Sequence, residues 1–380
     1  MEAAVIAGYL RSPFTPAHKG HLARLRADNL VAQVVRRLII DTGLRSGDIE
    51  DLIVGCAFPE AEQGLNLGRQ LVYLADLPTT VAGTTVNRFC GSSMQAIHSA
   101  VGAIRAGAGE VFICAGVESM TRIPVGGFNP MPNPALYTSH PEIYISMGET
   151  AENLARKYDI DRGAQEAFAL VSQQKASSAQ RNGLLSAEIV SIDAGEAGFI
   201  DTDECIRPDS SPDALAKLHP AFLAHGSVTA GTSSPLTDGA AAVLVCSESY
   251  ADAHGLGKLA RIRSIAVSGC APEIMGIGPV DATRKALLRA GLKLEDMDVV
   301  ELNEAFAAQV LAVLKDLPVP PEKLNVDGGA IALGHPLGAS GARITGKAAS
   351  LLQRLNGRFA LATMCIGGGQ GIATILESPS

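Results

Sequence analysis

The chain has 380 residues, a net charge of −8 and seven cysteines. This length predicts two or three domains, and the acidic balance argues against a nucleic-acid partner, which requires a basic surface. The odd number of cysteines and the lack of a C-x-x-C pair predict no disulfide framework and no metal site. No run reaches the roughly 18 to 20 apolar residues of a membrane span, and the N-terminus resembles a short strand rather than a signal peptide. We therefore expect a cytoplasmic protein with no transmembrane segment.

In chain order, strand and helix patterns alternate and then recur. Three dipeptides of the first part recur 248 positions later in the chain. Gly43-Leu44, Asp48-Ile49 and Ala57-Phe58 correspond to Gly291-Leu292, Asp296-Met297 and Ala305-Phe306. The same spacing relates a helical pattern of apolar residues after Cys90 to one after Gly338, each followed by a short apolar run typical of a buried strand. Alternating strands and helices predict a layered α/β fold, here with two mixed-sheet halves.

The last strand of each half breaks this spacing. The run that begins at Gly239 resembles the run at Gly371, only 132 positions away, so the first half carries about 116 additional residues. Long insertions of this kind are usually functional. We predict an N-terminal half over 1–117 that is completed by 236–256, an inserted loop domain over 118–235 with its own helices, and a C-terminal half over 257–380.

Cys90 is the candidate nucleophile. It follows the strand-like run 84–89 and opens a helix, where free backbone N–H groups and the helix dipole are expected to lower the pKa of its thiol. An arbitrary cysteine in such a fold is usually inert core. We assign that reading to the cysteines in or beside apolar runs: Cys56, Cys114, Cys246 and Cys270.

Three further segments contain candidate catalytic groups. The duplication places His335 opposite position 87, so a pseudo-two-fold axis between the halves would bring it near Cys90 as a base, although a lone loop histidine is usually structural. The glycines after Cys365 either form a tight turn or direct N–H groups, such as that of Gly367, at a substrate oxygen. Asn303 follows the predicted strand 299–302, at a carboxyl end where α/β sites gather.

Four segments together resemble the thiolase family along nearly the whole chain. They begin at Val86, Asn303, Gly334 and Cys365 and read VNRFCGSS, NEAFAAQ, GHPLGASGAR and CIGGGQG. The resemblance implies a duplicated α/β fold with an inserted loop domain, and reversible transfer of an acyl group to coenzyme A. It further implies that Cys90 carries the acyl group, that His335 activates it and that Cys365 moves the α-proton. One oxyanion hole would be His335 with a water held by Asn303, and the other the N–H groups of Cys90 and Gly367.

The resemblance also implies how coenzyme A is bound. Ala230 and Ser234 would lie along the pantetheine arm, Arg207 near the adenine, and Met147 and Phe306 would form walls of the acyl pocket. Ordinary packing, or a solvated charge for Arg207, is the alternative for each. Coenzyme A is a co-substrate in this reading, and no other cofactor is expected.

Details around the motifs resemble the degradative members of the family, which cleave 3-ketoacyl-CoA in fatty-acid β-oxidation. Short-chain biosynthetic members commonly have histidine where Ser146 precedes Met147, and Arg88 and Ser93 also fit the degradative pattern. The partners implied are 3-ketoacyl-CoA, coenzyme A, a second copy in a homodimer or dimer of dimers, and a hydratase/dehydrogenase subunit of a multienzyme complex.

Three alternatives stay open. A biosynthetic acetoacetyl-CoA thiolase would share all four motifs. A decarboxylating ketoacyl synthase would normally carry a second histidine at the position of Cys365, so the sequence disfavours it. A non-catalytic acyl-CoA or lipid-binding module would not form a covalent intermediate at Cys90.

Overall fold

A computed structural model describes residues 2–379, which are built around one mixed sheet of ten strands beside a small two-stranded ribbon. The strands are β1 (Ala4–Arg11), β2 (Thr15–Pro16), β3 (Asp51–Gly55), β4 (Ala82–Val86), β5 (Val111–Ser119), β6 (Ile192–Asp193), β7 (Phe199–Ile200), β8 (Thr237–Ser247), β9 (Ala260–Gly269), β10 (Val299–Leu302), β11 (Phe359–Ile366) and β12 (Gln370–Glu377). The ribbon is formed by β6 and β7, and the other strands belong to the large sheet.

Helices cover the sheet and form much of the segment between β5 and β8. They are α1 (Ala27–Thr42), α2 (Leu67–Leu74), α3 (Ser92–Ala106), α4 (Pro134–Ser139), α5 (Met147–Lys157), α6 (Arg162–Arg181), α7 (Pro212–Ala216), α8 (Glu248–His254), α9 (Gly278–Ala290), α10 (Ala307–Asp316), α11 (Ala330–Leu333) and α12 (Leu337–Leu355). Within residues 2–379, no helix is both long enough and apolar enough to cross a membrane.

The order of strands confirms the duplicated α/β fold. It runs β10-β11-β12-β9 in one half and β1-β8-β5-β3-β4 in the other, and the halves join where β1 pairs antiparallel with β9. The equivalent helices α1 and α9 both end at a left-handed glycine, Gly43 with φ 68° and Gly291 with φ 69°. Glycine adopts this conformation without steric cost, so the repeated dipeptides mark the same helix terminus in each half.

The prediction of a strand over 84–89 is wrong at its C-terminal end. β4 stops at Val86, and residues 87–91 form a turn in which Phe89 has φ +43°. The amide Oδ1 of Asn87 accepts a hydrogen bond from Phe89 N at 2.8 Å. A side chain that bonds the backbone two residues ahead competes with sheet pairing. The chain therefore turns before Cys90, and α3 begins two residues after it.

Helices α3 and α12 pack against each other where the halves meet. Ser93 Oγ accepts a hydrogen bond from Ala342 N at 2.8 Å, and a Cβ on Gly341 would lie 2.4 Å from Met94 N. Only a residue without a side chain allows this approach. The N-termini of both helices, which follow Cys90 and His335, are thus held in one region.

The segment between β5 and β8 is anchored to the core by buried ion pairs. Arg11 in β1 makes two hydrogen bonds of 2.7 Å to the carboxylate of Asp203 and one of 2.7 Å to Glu188. Burial demands such pairing for charged groups. Helices α5 and α6 confirm that this segment has its own helices, while the domain limits at 118 and 235 stay a prediction.

Candidate active site

The turn before α3 presents the sulfur of Cys90 to backbone donors from both halves. The backbone N–H groups of Gly367 and of Cys90 itself lie beside its Sγ and act to lower the pKa of the thiol. Cys90 is partly exposed, whereas Cys56, Cys114 and Cys246 are buried as predicted. The prediction of an inert core position is wrong for Cys270, which is partly exposed beside the glycine-rich turn and donates its N–H to Gly369 O at 2.8 Å.

The thiol of Cys90 is protonated in the free protein. Burial raises its pKa to about 11, and the two N–H groups offset only part of this shift. The low pKa predicted from the start of a helix is therefore wrong, because desolvation of the thiolate outweighs the N–H bonds. A base must take the proton if the sulfur is to react as a nucleophile.

Cys365 occupies a different environment from that of Cys90. It lies inside β11, is 1% exposed and packs among apolar side chains. Burial raises the pKa of its thiol strongly, and the charge of a Cys90 thiolate raises it further. The two thiols are thus close enough to interact, and Cys365 retains its proton more firmly than Cys90.

The glycine-rich segment is both a turn and a source of N–H groups. Gly368 and Gly369 have φ of 77° and 84°, and they join β11 to β12. A Cβ on Gly369 would lie 2.3 Å from Cys270 O, so this position admits only glycine. Gly367 precedes the turn and directs its N–H at Cys90 Sγ. The turn is therefore confirmed, whereas an N–H group of Gly367 directed at a substrate oxygen stays a prediction.

His335 is buried and held by two hydroxyl groups. Its backbone N–H donates to Thr237 Oγ1 at 3.0 Å, and its ring Nδ1 lies 2.5 Å from Ser340 Oγ. The Ser340 hydroxyl donates to Pro336 O at 3.0 Å, so Nδ1 carries the ring proton and Nε2 keeps a lone pair. Burial, with a smaller effect of the nearby Arg343 charge, lowers the pKa of His335 to about 3. The imidazole is therefore neutral.

Asn303 connects this imidazole to the strand that holds Cys365. Its Nδ2 lies 3.3 Å from His335 Nε2, and its backbone N–H donates to Thr363 O in β11 at 3.0 Å. Within residues 2–379, no group hydrogen-bonds to the buried Oδ1 of Asn303. The amide thus offers a free polar atom next to the neutral imidazole.

Apolar side chains form one wall beside Cys365. Met147 and Phe306 belong to the same packed cluster as Cys365, and Phe222 meets Phe306 edge to face at 5.8 Å between ring centroids. Ser234 lies alongside this wall, because its N–H donates to Ala305 O at 3.0 Å.

The residues proposed for the rest of coenzyme A lie further out. Ala230 is exposed on the loop that leads to Ser234. Arg207 is exposed on another loop, and its backbone N–H donates to Gln173 Oε1 at 2.8 Å. In the described part of the chain, Arg207 forms no hydrogen bond with the other proposed site residues.

Sequence reasoning missed the side chains that hold the candidate catalytic residues. Arg88 crosses between the halves, donating to Gln370 Oε1 at 2.8 Å just after the glycine turn. Ser340 and Glu118 also escaped notice. Ser340 could have been predicted, because it lies five residues after His335 near the start of a helix. The contacts of Arg88 and Glu118 join distant segments and have no local sequence pattern.

Models of the thiolase family match almost the whole chain. The N-terminal domain model matches residues 4–249 and the C-terminal domain model matches residues 256–378. The chain belongs to the thiolase family.

Individual relatives are similar over their full length. A Bacillus subtilis (strain 168) protein named 3-ketoacyl-CoA thiolase is 46% identical over 389 aligned residues, covering 99% of this chain and 100% of that protein. A Marinomonas sp. (strain MWYL1) protein of the same name is 48% identical, covering 98% and 97%. The crystal structure of human mitochondrial 3-ketoacyl-CoA thiolase in complex with CoA has a TM-score of 0.91 and 38% identity, covering 100% of this chain and 98% of that one.

Proposed function

We propose that this chain is an acyltransferase that cleaves 3-ketoacyl-CoA with coenzyme A, giving acetyl-CoA and an acyl-CoA shortened by two carbons. Membership of the thiolase family and the names of its full-length relatives support the reaction class. The observation that carries the proposal is the placement of Cys90 Sγ against the N–H groups of Gly367 and Cys90, beside a second buried thiol.

In the first half-reaction, Nε2 of His335 takes the Cys90 proton while the sulfur attacks the 3-keto carbon. Two backbone N–H groups, from Cys90 and Gly367, are suited to the negative charge that develops on the keto oxygen. The bond between C2 and C3 then breaks, leaving an acyl group on Cys90 and the enolate of acetyl-CoA. Cys365 gives its proton to C2 of that enolate, and acetyl-CoA leaves.

In the second half-reaction, the thiol of a free coenzyme A attacks the acyl group on Cys90. The thiolate of Cys365 takes the proton of this thiol, and the released sulfur of Cys90 takes back its proton from His335. These two transfers restore both thiols and the neutral imidazole. We propose that Asn303, whose Oδ1 has no partner among residues 2–379, holds a water beside His335 to stabilise the enolate oxygen.

We assign the binding of coenzyme A to the loop around Ala230 and Ser234, with the acyl chain against Met147 and Phe306. The support is the common packing of Met147 and Phe306 with Cys365. Arg207 is proposed for the adenine end, where its exposed position suits a flexible contact with phosphate or base.

A thiolysis profile over short, medium and long 3-ketoacyl-CoA substrates tests this function. The proposal expects turnover of medium or long chains as well as acetoacetyl-CoA. Activity restricted to acetoacetyl-CoA would instead favour a biosynthetic thiolase. A non-catalytic binder would take up acetyl-CoA without a mass increase of one acetyl group on Cys90.

We also propose that the protein forms a homodimer or a dimer of dimers. Strand β4 lies at the edge of the sheet, and Leu65 near that edge is 91% exposed. Edge strands and exposed apolar side chains are usually covered in a stable protein. Light scattering after size exclusion tests this proposal, and a monomer at micromolar concentration would contradict it. The hydratase/dehydrogenase partner stays a prediction from the family resemblance, and the cytoplasmic location stays a prediction from the cysteine usage and the lack of targeting signals in the sequence.

A further inference from the structure

Glu118 is a buried carboxylate for which the proposed reaction has no use. It lies near the end of β5 and is 1% exposed. Four N–H groups donate to it: Ala57 N at 2.8 Å and Gly338 N at 2.9 Å to Oε2, and Gln63 Nε2 at 2.8 Å and Phe58 N at 3.2 Å to Oε1. Among residues 2–379 it forms no ion pair with lysine or arginine.

Burying a carboxylate without a cation is costly. Burial raises the pKa of Glu118, and the N–H groups offset part of this shift. A neutral side chain of similar shape would avoid the desolvation penalty. The charge is therefore expected at this position only if its hydrogen bonds do something that ordinary packing does not.

Oε2 of Glu118 joins the two halves through a single atom. Ala57 follows β3 in the first half, whereas Gly338 is the second residue of α12 in the second half. Gly338 lies three residues after His335. A Cβ on Gly338 would come within 2.5 Å of Val117 O, so the backbone of α12 rests directly on β5. The start of the histidine's helix is thereby fixed to the half that contains Cys90.

Further hydrogen bonds connect Ala57 to the turn that precedes Cys90. Asn87 Nδ2 donates to Ala57 O at 3.0 Å, and Asn87 Oδ1 accepts from Phe89 N at 2.8 Å. Cys90 is the next residue. An unbroken series of four hydrogen bonds thus runs from the start of α12 through Glu118, Ala57 and Asn87 to the residue before Cys90.

We propose that Glu118 is a positioning residue that sets the separation of Cys90 and His335. It does so by connecting the turn before Cys90 to α12, the helix that follows His335. This inference rests on the proposed function, since it concerns the proton transfer between those two groups. Displacements of about 1 Å can cost on the order of 100-fold in rate. A carboxylate accepts all four N–H donors, whereas a carboxamide accepts on one side only and presents N–H to N–H on the other.

The test is the rate at which acetyl-CoA acetylates Cys90 in full-length Glu118→Gln, followed by intact mass. We expect a roughly 10- to 100-fold slower rate, with the KM for acetyl-CoA changed by less than about threefold. An electrostatic role predicts the opposite, because the Glu118 charge contributes to the raised pKa of Cys90 and its removal would favour the thiolate. Faster acetylation in Glu118→Gln would therefore overturn the proposal.

Glu152→Gln is the matched control. Glu152 is also a buried carboxylate, and it accepts Ser227 N at 3.0 Å and Val228 N at 2.9 Å, but it does not connect Cys90 with His335. We expect it to lose thermal stability while its acetylation rate stays within about threefold of wild type. If both glutamine variants slow acetylation equally, the effect of Glu118 is merely structural and the inference fails.

A second variant keeps the test valid if Glu118→Gln does not fold. Asn87 is exposed, so Asn87→Ala breaks the same series of hydrogen bonds without opening the core. It should slow acetylation in the same direction, and the double variant should be no more than about twofold slower than the slower single variant. Additive effects, or an unchanged rate in Asn87→Ala, would overturn the inference. Absence of acetylation in the wild type would instead reject the proposed function itself.

Discussion

Cys90 and Cys365 are neighbouring thiols in one site, yet the chain builds their surroundings in opposite ways. Cys90 lies in a turn, partly exposed, where two backbone N–H groups point at its sulfur. Cys365 lies inside β11, 1% exposed, among apolar side chains. Burial raises the pKa of Cys90 to about 11 and that of Cys365 further.

This difference separates the two roles. A turn that offers N–H groups can accommodate an acyl group and stabilise the oxygen next to it. A thiol held in an apolar strand is a weak nucleophile but a proton donor in reach of a carbanion. Unequal surroundings, rather than unequal residue types, thus suit one cysteine to the proposed role of acyl carrier and the other to the proposed role of acid.

Removing the nucleophile tests the Cys90 side of the comparison and has the largest expected effect. Cys90→Ala should abolish acetylation and lower thiolysis by about 1,000-fold or more, because no acyl-enzyme can form. Intact mass and a thiolysis assay measure both. Cys246→Ala is the control, since this cysteine is buried outside the site, and it should keep turnover within about twofold. Acetyl transfer to another cysteine in Cys90→Ala would contradict the assignment.

Removing the side chain that orients His335, the proposed base, has the second-largest expected effect on the acetylation of Cys90. Ser340→Ala removes the hydroxyl beside His335 Nδ1, so the imidazole loses its fixed tautomer and orientation. We expect acetylation of Cys90 to slow roughly 10- to 100-fold. Thr345→Val is the control, because this buried hydroxyl also donates to a backbone oxygen one turn earlier in α12, Gly341 O at 2.7 Å, without touching His335. Equal losses in both variants would refute an orienting role.

The pH dependence of acetylation tests whether the resting pair is neutral. The pKa of His335 is lowered to about 3 and that of Cys90 is raised to about 11, so neither group changes its charge between pH 5 and 9. We expect kcat/KM for acetylation to vary by less than about threefold over this window. A rise of more than about tenfold between pH 5 and 7 would show that the imidazole titrates normally and that the site is wetter than its burial indicates.

Acid stability has the smallest expected consequence for activity. Burial, helped by the charge of Arg88, lowers the pKa of His98 to about 3, and its Nε2 lies 2.9 Å from Thr374 Oγ1 across the halves. The unfolded chain binds this proton more readily, so the stability from neutral His98 is complete above about pH 6.5 and is lost as the pH falls towards 3.

In His98→Asn, the loss of unfolding free energy between pH 7 and pH 4 should shrink by on the order of 3 kcal/mol. Denaturant unfolding at both pH values measures this change. His225→Asn, which alters an exposed histidine, should leave the loss as it is in the wild type. An equal pH dependence in His98→Asn and wild type would show that His98 is not kept neutral by burial.

The sequence predicted those features that are local or repeated. The duplication, the helix after Cys90 and the strand before Asn303 follow from periodicity and motif spacing, and the structure confirms them. The turn at Phe89 was missed because the Asn87 side chain overrides a strand-like pattern. The pKa of Cys90 was predicted in the wrong direction, because burial depends on packing from both halves.

Contacts between distant segments could not be predicted from the sequence. Glu118 meets Gly338 across 220 positions, and Arg88 meets Gln370 across 282. Neither pair has a local pattern, and each becomes visible only when the halves are joined. The assignment of candidate roles was thus accessible from motifs, whereas the side chains that hold those residues in place were not.

The division of roles between the two cysteines is tested most directly by Cys365→Ala, with the acetylation of Cys90 and overall thiolysis measured on the same preparation. The account predicts that Cys90 gains an acetyl group from acetyl-CoA at a rate within about tenfold of wild type, while thiolysis falls at least about 100-fold because the carbanion lacks its proton donor. If Cys365→Ala loses acetylation as completely as Cys90→Ala, the two thiols do not have separate roles.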